Sequence, residues 1–98
     1  MTKVVIAAQV DRDFERIFTH LSAHGASDPI GRIAEIVAAV DVLASNPRIG
    51  RQMDGERREL VIGRDRHGYL ALYAYDPFRD EVVILAIRSQ KESGYHTP

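Results

Sequence analysis

The sequence predicts an α+β fold, a helical hairpin packed on one face of a small, largely antiparallel four-stranded sheet, in the order β-α-α-β-β-β. Three observations predict it. Residues 57–95, RRELVIGRDRHGYLALYAYDPFRDEVVILAIRSQKESGY, hold three strand-like runs separated by turn residues. Residues 10–44 hold two apolar stripes of helical period, and a short β-branched run precedes both.

That first run, Lys3 to Ala8 (KVVIAA), reads as a strand that needs a partner to bury its faces. From Gln9 the spacing changes. Val10, Phe14, Ile17, Phe18 and Leu21 fall on one stripe of an amphipathic helix, with Asp11, Asp13 and Glu15 placed to complement the dipole at its start. His24-Gly25-Ala26-Ser27 interrupts the pattern, and Asp28-Pro29 restarts it as an N-cap followed by proline in the first helical position. In the second helix Ile30, Ile33, Val37, Val40 and Ala44 form one face, widened by Ile36 and Leu43. Ile33 and Val37 are therefore expected against the sheet, and Arg32, Glu35 and Asp41 in solvent. Asn46-Pro47 ends this helix, because a residue before proline is pushed out of helical geometry. Arg48 to Glu56, with Gly50 and Gly55, reads as an irregular connection.

The meander follows. Arg58, Leu60 and Ile62 alternate with Glu59 and Val61 until Gly63 stops the run. Tyr69 to Tyr75 is apolar on both parities, as a middle strand covered on both sides would be. Asp76-Pro77-Phe78-Arg79-Asp80 supplies the reversal. Glu81 to Ser89 carries Val82, Ile84 and Ala86 on one parity and Val83, Leu85 and Ile87 on the other, so a strict period of two puts Arg88 on the face of Val82 and Ile84. With the hairpin on one face of the sheet, the opposite face and its rim are where a site is expected.

A chain of 98 residues has room for one core and reads as one domain, residues 1–98. Its 45% hydrophobic and 28% charged content is that of a soluble globular protein. The net charge of −1 gives no global polyanion-binding signature: Arg48, Arg51, Arg57, Arg58, Arg64 and Arg66 are interleaved with Asp54, Glu56, Glu59 and Asp65. Without cysteine there is neither a disulfide framework nor a thiolate metal site. No apolar run approaches the roughly 20 residues of a membrane helix, so a cytoplasmic location without membrane contact is expected. His20 and His24 share a helical face, but a closed zinc site needs about four ligands, so no metal and no cofactor is expected.

No nucleophile elbow, P-loop or dinucleotide fingerprint is present. The remaining chemistry is cationic and phenolic: Arg51, Arg58, Arg88 and Lys91, with Tyr95 and His96 in the tail. A guanidinium at Arg88, emerging from an apolar face, suits a phosphate or a carboxylate and equally suits a neighbouring acid such as Glu59. Tyr69, Tyr73 and Tyr75 read as packing rather than as stacking platforms.

In this order of elements, four stretches carry a resemblance: LASNPRIGR at 43–51, RREL at 57–60, GYLALY at 68–73 and ILAIRSQKESGY at 84–95. Together they resemble the RelE/ParE superfamily of type II toxins over nearly the whole chain. The resemblance implies a toxin of a plasmid-stabilisation type of system, masked by a cognate antitoxin, as a homodimer or a toxin–antitoxin hetero-oligomer. It implies one of two activities, a ParE-like poisoning of DNA gyrase or a RelE-like, metal-free cleavage of messenger RNA on the ribosome. Cleavage would assign Arg58, Arg88 and Tyr95 as catalytic; antitoxin or target binding would assign Arg51, Arg58, Arg88, Lys91 and Tyr95. The cleavers' arginine after the Gly-Tyr of the middle strand corresponds here to Leu70, and Tyr95 lies closer to the strand end than their tyrosine. The ParE-like reading is therefore favoured, RelE-like cleavage is the alternative, and a binding module without activity is the third.

Overall fold

The computed structural model describes residues 1–63 and 67–96; the expected arginines Arg64 and Arg66, with Asp65, lie outside the described residues. The chain runs β1 (Lys3–Ile6), α1 (Ala8–Ala23), α2 (Pro29–Asp41), a short 3-10 turn (Val42–Ala44), β2 (Arg51–Gln52), β3 (Arg57–Ile62), β4 (Tyr69–Asp76) and β5 (Glu81–Ser89). The strands form one sheet in the order β1-β5-β4-β3-β2, antiparallel except for the parallel pairing of β1 with β5. The α+β class and the helical hairpin stand as expected. The sheet has five strands rather than four, because Arg51 and Gln52, expected in an irregular connection, pair with Glu59 and Arg58. Two exposed residues on an edge bury no apolar side chain, so they leave no periodicity to detect.

Local chemistry explains the joints. Asp28 caps α2, its side chain accepting from the Gly31 backbone N–H at 3.0 Å, with Pro29 behind it. Asp76 makes the β4–β5 turn by accepting from the backbone of Phe78 at 3.0 Å and Arg79 at 3.3 Å. Gly50 is required by close approach, since a Cβ there would stand 2.7 Å from the Tyr73 ring. In that space the Gly50 N–H donates to the Tyr73 hydroxyl at 2.8 Å, and the hydroxyl donates onward to Pro47 O at 2.8 Å. The loop that leads into β2 is thereby tied to the middle of the sheet.

The core lies between the helices and one sheet face: Val10 and Ile17 of α1, Ile36 and Val40 of α2 and Leu43 of the 3-10 turn meet Ile62, Tyr69, Ala71, Tyr73, Val82, Ile84 and Ile87. The apolar stripe of α2 is wider than the surface it covers. Its inward residues are Ile36, Val40 and Leu43, with Ile33 half-buried, whereas Val37, expected to face the sheet, is 45% exposed and Ile30 is 71% exposed. Arg32, expected in solvent, is half-buried and lines a cleft. No helix among the described residues is long and apolar enough to cross a membrane.

Two departures in β5 determine what the sheet presents. Leu72 pairs with Ala86 and Tyr73 with Ile84, so Leu85 is an extra residue, a β-bulge. Cross-strand partners share a face, so the bulge puts Val82, Ile84 and Ile87 under the helices and moves Ala86 and Arg88 to the opposite side. The expected parity of Arg88 with Val82 and Ile84 is thus corrected. The second departure is at the sheet edge. β1 pairs no further along β5 than Ile84, and side chains of α1 serve Ile87 instead. Asp13 Oδ2 accepts from the Ile87 N–H at 2.8 Å, and Arg16 Nη2 donates to Ile87 O at 3.2 Å. Asp13, expected only to complement the helix dipole, is fully buried.

Candidate functional site

On the sheet face away from the helices, cross-strand pairing builds two adjacent rows. Arg51, Glu59, Leu72 and Ala86 form one; Val61, Leu70 and Arg88 form the other. Residues 90–95 turn around the end of β5, so that Glu92 bonds Arg16 of α1 while Tyr95 reaches Glu59 on this face. The result is a polar ledge whose centre is an acid. Glu59 is 2% exposed, and an ion in that position persists only if its oxygens are satisfied. Arg51 donates to Oε1 through Nε at 3.0 Å and through Nη2, while the Tyr95 hydroxyl donates to Oε2 at 2.7 Å.

Arg88 completes the ledge differently. Its guanidinium lies 5.0 Å from the centroid of the Tyr95 ring, and its Nη1 donates to Glu92 O. Its Nε is buried with no partner among the described residues. The Arg88 charge acts on Glu59 through space; the carboxylate's direct cationic partner is Arg51.

The electrostatics are internally balanced. Burial alone would raise the pKa of Glu59, but the hydrogen bonds from Tyr95 and Arg51, with the charges of Arg51 and Arg88, hold it below the usual carboxylate range. Burial and the neighbouring carboxylate push the Tyr95 phenol well above its ordinary value, so it stays protonated as the donor to Glu59. A group whose folded pKa is depressed contributes stability that is fully present above the unfolded value of about 4.3 and is lost as the pH falls through the folded one. Glu59→Gln is therefore expected to lower the urea midpoint at pH 7. The gap to the parent protein should narrow below about pH 4. A gap that stays constant across that range would show that the carboxylate charge does not hold the ledge together.

Of the residues expected at a site, Arg51, Arg88 and Tyr95 come together and two do not. Arg58 belongs to the helix-side face, in register with Tyr73, and donates to the backbone oxygens of Arg48 at 3.1 Å and Gly50 at 2.9 Å. Its role is to hold the loop before β2. Lys91 lines a separate cleft with residues of both helices. His96 reaches Glu92 with Nε2 3.3 Å from Oε1. His20 and His24 stack with ring centroids 4.1 Å apart, and no group of three or more potential metal-ligating side chains stands together among the described residues. Glu59 was expected only as a partner of Arg88; behind Arg57 and Arg58 it reads as one more surface charge, and only the register of β3 against β2 and β4 reveals its burial.

A second surface feature has no polar chemistry. Between α1 and α2, on the outer side of the hairpin, a groove is lined by Phe14, Phe18, Ile30, Ile33 and Ala34, with Glu15 at its rim. Phe18 is 41% exposed there.

The model of the ParE toxin of type II toxin–antitoxin systems, parDE, matches residues 4–94. No curated protein matches the chain. Among solved structures, the chain is similar to one from the chromosomal ParDE system of P. aeruginosa, with a TM-score of 0.73 and 22% identity over 91% of this chain and 96% of that one. It is also similar to a chain of the RelBE2 toxin–antitoxin complex of Mycobacterium tuberculosis, with a TM-score of 0.54 and 20% identity over 90% of this chain and 96% of that one. At these identities the two structures speak to the fold they share.

Proposed function

The chain belongs to the ParE toxin family of type II toxin–antitoxin systems, and from that premise we propose that it acts in the cytoplasm by protein–protein contact, with DNA gyrase as its target, and is held inactive by a cognate antitoxin. The observation that carries the non-enzymatic reading is the ledge. A metal-free RNA cleaver must stabilise a dianionic phosphorane, and losing one positioned cationic donor typically costs about 10² to 10³ in rate. Here Arg51 is spent on Glu59, Arg88 on Tyr95 and a backbone carbonyl, and the residue paired with Arg88 across the strands is Leu70. Tyr95 is held protonated and is unsuited to serve as a general base.

Induced expression is expected to cause filamentation and a DNA-damage response while protein synthesis continues. Purified protein is expected to increase gyrase-linked DNA breaks. Rapid arrest of translation with message cleavage, abolished by Arg88→Ala, would replace this with the RelE-like reading. Absence of any toxicity together with intact antitoxin binding would leave only a binding module.

The outer groove of the hairpin is the surface that best fits the antitoxin. The two solved structures described above come from toxin–antitoxin systems, and the groove offers contiguous apolar anchors of the kind an amphipathic helix occupies. On co-expression with its antitoxin the protein is expected to elute as one complex. Phe18→Asp should split that complex at micromolar concentration without unfolding the toxin; a variant that still co-elutes would move the anchor site elsewhere.

A further inference from the structure

A cleft of about 410 Å³ lies where the start of β4 and the chain after β5 meet both helices, on the opposite side of the sheet from the ledge. Three cations line it, Arg16, Arg32 and Lys91, against one carboxylate, Glu92. Arg16 and Glu92 are already committed to each other: Arg16 Nε donates to Glu92 Oε1 at 2.8 Å and Nη2 to Oε2 at 3.2 Å, and Nη1 pairs with Asp13 at 2.6 Å. Among the described residues nothing engages the guanidinium of Arg32 or the ammonium of Lys91. The floor between them is apolar, made of Ile17, Leu21 and Tyr69.

We propose that this cleft binds a nucleoside monophosphate, either free or as the phosphorylated end of a nucleic acid chain. The phosphate is taken by Arg32 and Lys91, and the base lies against Ile17, Leu21 and Tyr69. Three properties converge on this ligand. Two unpartnered cations of different types at one opening call for an anion, and a guanidinium and an ammonium together suit phosphate. The apolar floor calls for a flat, weakly polar body attached to that anion, which inorganic phosphate or a carboxylate side chain lacks. The volume lies near the lower end of the roughly 300–1,000 Å³ typical of ligand pockets, enough for one nucleotide unit.

The test is a ¹H–¹⁵N titration of the full chain, freed of antitoxin, with adenosine 5′-monophosphate, adenosine, inorganic phosphate and a 5′-phosphorylated RNA trinucleotide. The monophosphate is expected to give saturable shifts at Ile17, His20 and Tyr69. Affinity is expected to fall about tenfold or more in Arg32→Ala and, separately, in Lys91→Ala, and to be unchanged in Arg79→Ala, in the exposed β4–β5 turn at the other end of the sheet. Tighter binding of the trinucleotide than of the monophosphate identifies a chain end as the source of the ligand; equal or weaker binding identifies free nucleotide. No saturable shift by about 10 mM monophosphate, or equal affinity for adenosine or for inorganic phosphate, would overturn the proposal. So would two cation variants that are folded by circular dichroism and bind as the parent does. A cleft reserved for an acidic side chain of a protein partner would give the first of these failures.

Discussion

Asp13→Ala is expected to destabilise the protein by about 3 kcal/mol, because it removes a fully buried carboxylate and leaves the Ile87 N–H without its acceptor. The carboxylate is fully buried and accepts from Gln9 Nε2 at 2.9 Å, Arg16 Nη1 at 2.6 Å and the Ile87 N–H at 2.8 Å. With Arg16 it does for Ile87 what a neighbouring strand would do, supplying an acceptor and a donor where β1 has already ended. Alanine provides neither. Asp13→Asn keeps an acceptor oxygen and should cost less, so the difference between the two variants isolates the charge. Urea unfolding at pH 7 measures it; a loss under about 1 kcal/mol for the alanine variant would mean that water substitutes for the carboxylate.

Ile36→Ala is expected to cost about 2 to 5 kcal/mol through lost burial and a residual cavity. The side chain is completely buried between α2 and the sheet. Val37→Ala, one position along the same helix, should stay within roughly 0.5 kcal/mol, because Val37 is largely outside the core. The pair of variants tests helix rotation directly. Equal denaturant midpoints would show that the helix does not present Ile36 to the sheet.

Much of this architecture was legible because each element carries its own period. Val10, Phe14, Ile17 and Leu21 mark α1, and the two-sided apolarity of Tyr69 to Tyr75 marks a strand between two others. What could not be read depends on relations between elements. The stripe on α2 includes Ile30, Ile33, Ile36, Val37 and Val40, an arc of about 120° of possible inward directions, and only the shape of the sheet selects Ile36 and Val40.

The candidate site shows the same limit more sharply. Arg51, Arg88 and Tyr95 were visible as the residues with chemistry to offer, yet the bulge at Leu85 decides that Arg88 meets Tyr95, and register decides that Arg58 faces the other way. A single extra residue in a strand has no signature in an alternating pattern whose both parities are apolar. The cleft was invisible for a different reason. Arg16, Arg32 and Lys91 come from three separate segments, and each alone resembles an ordinary surface charge.

The parallel pairing of β1 with β5 has a consequence for the chain as it is being made. Val4 and Val5, near the start, find their sheet neighbours only at Val82 and Val83. At roughly 5 to 20 residues per second of synthesis, the first strand waits on the order of 4 to 16 s before its neighbour has been polymerised. Throughout that interval the nascent chain has an unmatched strand, and α1 lacks the Ile87 backbone that Asp13 and Arg16 engage. The sheet therefore closes only once β5 has been made, and until then the free edge of β1 and the Ile87-facing side of α1 stay unmatched.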